Sequence, residues 1–407
     1  MKKLKAFLKS SRSGIITGGA DNDPAGISTY SIAGATNGFS QIWLMILATP
    51  MLIAVQAMCA RLGDVKRQGL ATILKEHFPK PLAILAVVIL VVCNTVTIGA
   101  DLAGMAEATS LIFKTNYLIW IIPFAILIWY VVIFENYRMI RTLLFWLVAV
   151  FSSYILAGIL ANPDWGQVLK AIVFPSVTFT PIYFMAAVGL LGTTITPYLF
   201  FWQTEEEIEE KDPPQADLKK ASHEDAILAP GFILSNLISI FIMISTGAVL
   251  FGKGGIQTAA DAARALEPLA GSSASLLFAV GIVGAGLLAV PILATSSAYA
   301  VAELFGWRES LSAKLQKAKG FYFVISCSLI IGLVLAFLQI DPIKALFYSQ
   351  ILAGVLAPVI LVLILILCNN KKIMGQYHNG WFDNLFGILT VLVMLLAAGG
   401  MFWQIAI

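Results

Sequence analysis

The sequence predicts an all-α integral membrane protein whose eleven transmembrane helices form two inverted repeats. Three observations predict this class: the composition, the spacing of the apolar segments, and two interrupted segments that lie five spans apart. The chain has 407 residues, of which 59% are hydrophobic and 12% are charged, and its mean hydropathy is +0.88. Soluble domains carry about 25% charged residues, so the composition excludes a soluble protein.

Eleven apolar segments are long enough to cross a bilayer, which takes about 20 helical residues. If the N-terminus is cytoplasmic, 21 of the 26 Lys and Arg residues lie in cytoplasmic segments. Because basic loops stay in the cytoplasm, we expect a multi-pass protein of the inner (plasma) membrane with its C-terminus outside. The spans are predicted at about 14–37, 42–62, 81–111, 117–134, 142–161, 179–204, 226–251, 273–303, 321–339, 343–367 and 382–406.

Spans one and six are both interrupted by a proline within an apolar segment, at Gly18–Gly26 and at Gly192–Tyr198. Interrupted segments at corresponding positions of two inverted halves predict a transporter binding site. Five is an odd number, so two tandem five-helix units have opposite orientations in the membrane. We therefore predict a single domain, residues 1–407, with repeats at about 14–161 and 179–367 and an additional helix at 382–406.

The two breaks contain only oxygen groups that could bind a cation. The first holds the carboxylates of Asp21 and Asp23, and the second holds the hydroxyls of Thr193, Thr194 and Thr196. A carboxylate at membrane depth is costly and is a functional candidate by default. Oxygen ligands favour Mg²⁺, Ca²⁺ or Mn²⁺, and neither break contains the Met, Cys or His that softer metals prefer. The alternative is that an acid, Asp21 more than Asp23, only caps the second half-helix.

Other polar residues within the spans leave their roles open. Asp101 either lines the ion path or satisfies a buried polar neighbour, while Asn236 and Gln350 either bind unwound backbone or link helices. The acidic run Glu205–Glu210 is interpreted as a solvated extension of helix six rather than a metal site. Glu303 is interpreted as an interfacial residue without a functional role.

Several segments resemble the Nramp family of divalent-metal transporters. The resemblance runs from Asp23–Gly26 through Ala33–Ala35 to Ala60–Gly63, and Gly189–Gln203 is similar to that family's sixth helix. Ala100–Ala103 in span three and Ser349–Gln350 in span ten also align. The resemblance covers nearly the whole chain and implies a LeuT-type fold with eleven helices, proton-coupled uptake and alternating access.

The resemblance also implies a metal site and shows where this chain departs from it. Asp23 keeps the metal-binding Asp, and Ala20 matches a position whose backbone carbonyl joins it. The motif's Asn falls on Gly26, the carbonyl position of the sixth helix falls on Thr193, and the metal-binding Met falls on Thr196. These five residues form the predicted metal site.

The family's proton-path positions are also changed. Two sixth-helix His positions become Tyr198 and Gln203, and an acidic pair keeps Asp101 but has Gly104 in place of Glu. This pattern resembles the Nramp-related magnesium transporters, a branch that binds a partly hydrated ion in an enlarged site. The predicted surroundings of the site, or its ion path, are Asp21, Thr194, Asp101, Gly104, Tyr198, Gln203, Asn236 and Gln350.

We therefore expect facilitated Mg²⁺ transport that also accepts Mn²⁺ and is not coupled to protons. The metal is the transported substrate and no cofactor is expected. The protein is expected to be a monomer in the lipid bilayer, with no nucleic-acid partner and no enzyme activity. The alternatives are a proton-coupled Mn²⁺/Fe²⁺ symporter, a sodium-coupled organic-solute symporter, and an intramembrane Mg²⁺-dependent enzyme such as a prenyltransferase.

Overall fold

The computed structural model describes residue 18 and residues 22–134, 153–209, 224–308 and 315–407, and within them it contains helices, turns and no strand. Residues 153–160 are helical, and short helical turns lie at 259–273 and 371–377. The other helices are α1 (Pro24–Asn37), α2 (Ile42–Lys66), α3 (Leu70–His77), α4 (Lys80–Phe113), α5 (Leu118–Phe134), α6 (Trp165–Val173), α7 (Pro181–Thr194), α8 (Pro197–Glu209), α9 (Glu224–Leu250), α10 (Ala274–Phe305), α11 (Lys319–Ala336), α12 (Pro342–Asn369) and α13 (Trp381–Ala406).

The apolar helices confirm the predicted all-α membrane class. Eight helical segments of the described chain are long and apolar enough to cross a bilayer, and α5 contains a shorter apolar helix. Most of predicted span five and the start of span one lie outside the described residues. The count of eleven helices therefore stays a prediction.

Helix α1 lies at the centre of the molecule. Every residue from Pro24 to Ala35 is buried, and the helix packs against α4, α7, α9 and α12. A helix that is apolar on all sides is expected in such a position. At Gly34 a Cβ atom would lie 2.5 Å from the carbonyl oxygen of Met243, so α1 and α9 are in backbone contact there. Small residues in α1 thus allow four helices to surround it.

The predicted break in span six is present. Helix α7 ends at Thr194, Ile195 has a non-helical backbone (φ −119°, ψ 70°), and α8 begins at Pro197. Because proline has no N–H, the carbonyl of Thr193 lacks its usual helical donor. A Cβ atom on Gly192 would lie 2.0 Å from the carbonyl oxygen of Gln350, so the break lies directly against α12.

At the end of the molecule that is predicted to be cytoplasmic, acidic residues that were expected to be exposed are buried. Glu205, Glu206 and Glu207 are only 5%, 3% and 1% exposed, so a solvated extension of helix six is wrong for these residues. Glu303 is 4% exposed, and its Oε2 accepts a hydrogen bond from the backbone N–H of Thr72 (2.6 Å). Both differences have one cause: α8 and α10 pack against the short helix α3.

A buried ion pair attaches the last helix to the rest of the fold. Arg61 on α2 donates from both terminal nitrogens to the two carboxylate oxygens of Asp383, at 2.8 and 3.3 Å. Asp383 also accepts from the backbone N–H of Gly380 at the start of α13 (3.0 Å). Removing one partner of a buried pair leaves an uncompensated charge, which typically costs about 3–5 kcal/mol.

We expect Asp383→Ala to lower the free energy of unfolding by about 3–5 kcal/mol, because Arg61 then stays buried without its carboxylate partner. The measurement is thermal unfolding of the purified protein in detergent. Asp164→Ala is the matched control, since Asp164 also caps a helix, α6, but is exposed. Equal destabilisation by the two substitutions would show that only the helix cap matters.

Candidate functional site

Asp23 lies at the first break and caps α1. Its side-chain Oδ1 accepts a hydrogen bond from the backbone N–H of Gly26, and the residue is 2% exposed. The capping role considered for this acid is therefore present. The cap uses one carboxylate oxygen, and no described residue donates to Oδ2. The same side chain can thus cap the helix and bind a cation.

Asp101 is brought close to Asp23. It is fully buried on α4, it interacts electrostatically with Asp23, and it lies near the backbone N–H of Ala25. Neither of its carboxylate oxygens accepts a hydrogen bond from a described residue. Two buried carboxylates near one another cannot both stay ionised without a compensating cation. The sequence left the role of Asp101 open, and the structure places it beside the first break.

The two breaks lie at a similar depth. Gln41, just after α1, donates from Nε2 to the carbonyl of Tyr183 near the start of α7 (2.7 Å). In the middle of α1, Thr29 lies 3.2 Å from the Cβ position of Gly189 on α7. The two helices are therefore antiparallel and adjacent. From the contact between Thr29 and Gly189, the direction that leads to the start of α1 also leads to the end of α7. Both helices break there, so the two breaks lie at the same end of this helix pair.

The second break presents an unpaired hydroxyl. The Thr193 hydroxyl is buried and has no hydrogen-bond partner in the described part of the chain, and Thr196 is 4% exposed. The Thr194 hydroxyl instead donates to the carbonyl of Leu190 (2.8 Å) and lies 3.9 Å from the sulfur of Met45. Thr193 is thus the better candidate of the two to reach a ligand. The sulfur beside the break was missed because Met45 belongs to α2 rather than to either break.

Asn236 and Gln350 are predicted residues that lie further from the two breaks along the chain. The amide of Asn236 donates to Thr49 Oγ1 on α2 (2.9 Å), and its side-chain oxygen accepts no hydrogen bond from the residues that the structure describes. Gln350 donates weakly to Ser349 (3.3 Å), and its backbone carbonyl faces the break at Gly192. Both residues lie at helix contacts.

The three positions that the resemblance links to proton passage, Gly104, Tyr198 and Gln203, hold no histidine and no second acid. A Cβ atom on Gly104 would lie 2.8 Å from a methyl carbon of Leu346, so this glycine packs against α12. Tyr198 is buried in the first turn of α8. Gln203 is fully buried and its amide donates to Glu207 (3.4 Å), towards the far end of α8.

Asn22 is a site residue that the sequence reasoning missed. Its Nδ2 donates to Ser235 Oγ (2.8 Å), and its Oδ1 accepts from Ser239 Oγ (3.2 Å), both on α9. The residue is 1% exposed and directly precedes Asp23. The signal was its position beside Pro24, where unwound backbone needs side-chain support. Asn22 fixes the first break to α9 and so orients the Asp23 carboxylate.

The described residues contain no group of three or more His, Cys, Asp or Glu side chains that could hold a metal ion. Two predicted positions, Ala20 and Asp21, lie outside the described residues. A cation bound here would therefore meet few charged groups, together with hydroxyl and backbone oxygen. This donor set suits a hard cation that keeps part of its water shell.

Comparison with known proteins gives consistent results. The model of the natural resistance-associated macrophage protein-like (Nramp) family matches residues 14–404. A divalent metal cation transporter, MntH, from Pectobacterium carotovorum subsp. carotovorum (strain PC1) is 24% identical over 384 residues, which cover 92% of this chain and 89% of that protein.

Two solved structures show the same fold at low identity. The Eremococcus coleocola manganese transporter, in complex with an aromatic bis-isothiourea substituted compound, has a TM-score of 0.77 at 20% identity and covers 97% of this chain and 86% of its own. Mhp1, a nucleobase-cation-symport-1 family transporter, has a TM-score of 0.59 at 16% identity, with 97% and 92% covered. The predicted LeuT-type architecture is confirmed by these neighbours. Because the family model covers almost the whole sequence, the chain belongs to the Nramp family.

Proposed function

We propose that this protein carries divalent metal cations across the membrane by alternating access, with Mg²⁺ as the preferred ion and Mn²⁺ also accepted. The observation that carries the proposal is the Asp23 carboxylate, which is buried at the start of α1, has one oxygen without a donor among the described residues and lies near Asp101. A divalent cation supplies the positive charge that these two acids lack. Membership of a metal-transporter family excludes the enzyme alternative.

The preference for Mg²⁺ follows from the donors at the second break. Thr193 and Thr196 offer hydroxyls where a thioether would select softer metals. Mg²⁺ dehydrates reluctantly and is usually bound through one or two carboxylates while it keeps several waters. The proposed ligand set is Asp23 and the carbonyl oxygens or hydroxyls at Ala20, Thr193 and Thr196, with Gly26 leaving room for water.

Transport without proton coupling is supported by the side chains at the proton-path positions. Leu346 occupies the space beside Gly104, and Tyr198 and Gln203 lie at positions where the family carries His. With no protons moving together with the metal, uptake is driven by the metal gradient and by the membrane potential, which contributes about 2.3 kcal/mol per charge per 100 mV.

The proposed motion involves the two broken helices. We propose that α1 and α7–α8 belong to inverted repeats at about 14–161 and 179–367 and rock against α4, α5, α10 and α11. The N-terminus is proposed to be cytoplasmic, the C-terminus outside and the membrane the plasma membrane, with the protein working as a monomer. The distribution of Lys and Arg supports this orientation.

A second candidate is a proton-coupled Mn²⁺ importer. The sulfur of Met45, next to Thr194, favours it because a thioether is a softer ligand. The matched relatives named for divalent metal cations and the structural neighbour named for manganese also support it. Met45 is on α2 and its sulfur contacts a hydroxyl that is already bonded within α7, so we place it outside the ligand set.

Asp23→Asn is expected to reduce Mg²⁺ flux into proteoliposomes at least about tenfold, because the amide keeps the helix cap but loses the charge. Asp23→Ala removes the cap as well, so it should reduce both flux and thermal stability. If Asp23→Asn transports normally while Asp23→Ala does not, Asp23 is only a cap and the site assignment fails.

Thr196→Met is expected to gain Cd²⁺ uptake and to lose Mg²⁺ uptake, because it places a soft sulfur at the second break. Competition of Mg²⁺, Mn²⁺, Ca²⁺ and Cd²⁺ in the same flux assay measures the change. Thr196→Leu is the matched control, with similar bulk and no sulfur. Cd²⁺ uptake by the unmodified protein that depends on Met45, tested with Met45→Leu, would favour the second candidate instead.

An imposed Mn²⁺ gradient is expected to drive uptake without acidifying the liposome interior beyond the leak of protein-free liposomes. A pH-sensitive dye inside the vesicles and a metal-sensitive dye in parallel samples measure both quantities. Acidification that rises with Mn²⁺ influx and disappears in Asp23→Asn would show proton-coupled transport.

A further inference from the structure

Gln56, in the middle of α2, is a buried amide that makes no hydrogen bond within the described chain. The residue is 0% exposed, and neither its Oε1 nor its Nε2 is bonded to any residue that the structure describes. Buried polar side chains almost always have a partner, and each exception in a native fold needs an explanation. The metal site as described so far does not include this residue.

Another buried glutamine shows how the same fold satisfies such a group when its role is structural. Gln41 is also 0% exposed, but its Nε2 donates to the carbonyl of Tyr183 (2.7 Å) and its Oε1 accepts from Nδ2 of Asn37 (3.0 Å). Both polar atoms of Gln41 therefore hold the end of α1 and the start of α7 together. Gln56 makes no such link, so holding helices together does not explain its presence.

Gln56 lies on the side of α2 that faces α7 and α8. At one end of this side the Met45 sulfur lies 3.9 Å from the Thr194 hydroxyl. At the other end a Cβ atom on Gly63 would lie 2.4 Å from the carbonyl oxygen of Thr204. Gln56 follows Met45 by eleven residues and precedes Gly63 by seven, which is about three and two helical turns. The three positions therefore share one side of the helix.

The same contacts place Gln56 level with the second break. They follow one another in the same order along both segments, so α2 runs parallel to α7 and α8. Pro197, where α8 begins, precedes Thr204 by seven residues, just as Gln56 precedes Gly63. Both helices rise by about 1.5 Å per residue. The buried amide of Gln56 thus lies beside the start of α8, where Thr196 is a proposed donor to the ion.

The second break lies between Gln56 and the Asp23 carboxylate. Helix α2 packs against α7, α8, α9 and α13, whereas α1 is enclosed by α4, α7, α9 and α12. An ion that Asp23 binds therefore faces Gln56 across the break. Mg²⁺ keeps several waters when it is bound by one or two carboxylates. A water on a divalent cation is a strong hydrogen-bond donor because the ion polarises it, and a glutamine side-chain oxygen is an acceptor.

We propose that Gln56 recognises the water shell of the transported cation. Its Oε1 accepts a hydrogen bond from a water molecule that is bound to the ion on the side of the second break. This bond favours an ion that keeps its water, and it gives the buried oxygen of Gln56 a partner. The inference rests on the proposed function, since it names the residue that favours a partly hydrated ion at that site.

The effect on the fold is tested by thermal unfolding of the metal-free protein in detergent with a chelator. Gln56→Met should keep or raise the melting temperature, because it replaces an unpaired buried amide by an apolar side chain of similar length. Gln41→Met is the matched control and should lower it, since it breaks two hydrogen bonds. Equal destabilisation by the two substitutions would overturn the proposal by showing that Gln56 stabilises the fold.

The effect on the ion is tested by Mg²⁺ and Mn²⁺ flux in proteoliposomes. Gln56→Met should raise the KM for Mg²⁺ about three- to tenfold, the size expected for the loss of one hydrogen bond. The KM for Mn²⁺ should rise less, because Mg²⁺ dehydrates more reluctantly. An unchanged KM for Mg²⁺, or an equal rise for both ions, would overturn the proposal. Absence of Mg²⁺ flux in the unmodified protein would instead contradict the proposed function.

A variant that keeps the acceptor gives the opposite result for binding. Gln56→Glu retains a side-chain oxygen at this position and adds a negative charge. Mg²⁺ should therefore raise its melting temperature at lower concentrations than it does for the unmodified protein, whereas Gln56→Met should need higher concentrations. If Mg²⁺ stabilises all three proteins over the same range of concentrations, Gln56 does not interact with the bound ion and the proposal is wrong.

Discussion

A carboxylate in the middle of a membrane requires compensation, and the rest of this structure depends on how Asp23 obtains it. The break before Pro24 turns the first backbone N–H groups of α1 toward the acid, and the Gly26 N–H reaches it directly. Charge stabilisation of this kind is worth up to about 2 kcal/mol in a partly buried site. That is less than the cost of a buried ion, and Asp101 adds a second acid nearby. The remaining deficit is the physical reason to expect a cation at this point.

The surrounding helices keep the break open rather than letting it close into a regular helix. Asn22 is bonded on both of its polar atoms to α9, which fixes the unwound residue immediately before Asp23. On the other side, Gly192 and Gly354 bring α7 and α12 into backbone contact beside the second break. Because α1 is enclosed by α4, α7, α9 and α12, any movement of the site must carry some of these helices with it.

Local patterns made the helices and their breaks predictable, because apolar length and proline act within one segment. The ends of α2, α4 and α12 fall close to the predicted spans for this reason. Contacts between segments were not predictable in the same way. Three features of the site depend on such contacts: Asp101 lies near Asp23, Asn22 is hydrogen-bonded to α9, and the Met45 sulfur lies beside Thr194. In each case the residues come from different segments, and a single sequence gives no signal for such pairs.

The acidic run on α8 also shows that local sequence patterns do not predict contacts between segments. Repulsion between like charges at helical spacing is a local argument, and it favours a solvated helix. The fold instead buries Glu205 to Glu207, because α3, which is too short to register as a span, covers the end of α8. The backbone N–H of Thr72 in α3 then donates to Glu303, so this buried acid obtains a partner that only the folded chain supplies.

The position of Asp23 within the membrane has a consequence for the energetics of transport. An ion that binds at Asp23 and leaves on the other side moves two charges through the membrane potential, about 4.6 kcal/mol per 100 mV in total. The Gly26 N–H and the other groups that hold the Asp23 carboxylate stay in the protein when the ion leaves, so this charge is carried by the metal alone. Proton coupling would therefore show as the stoichiometric appearance of protons on the far side, and not merely as a flux that varies with pH.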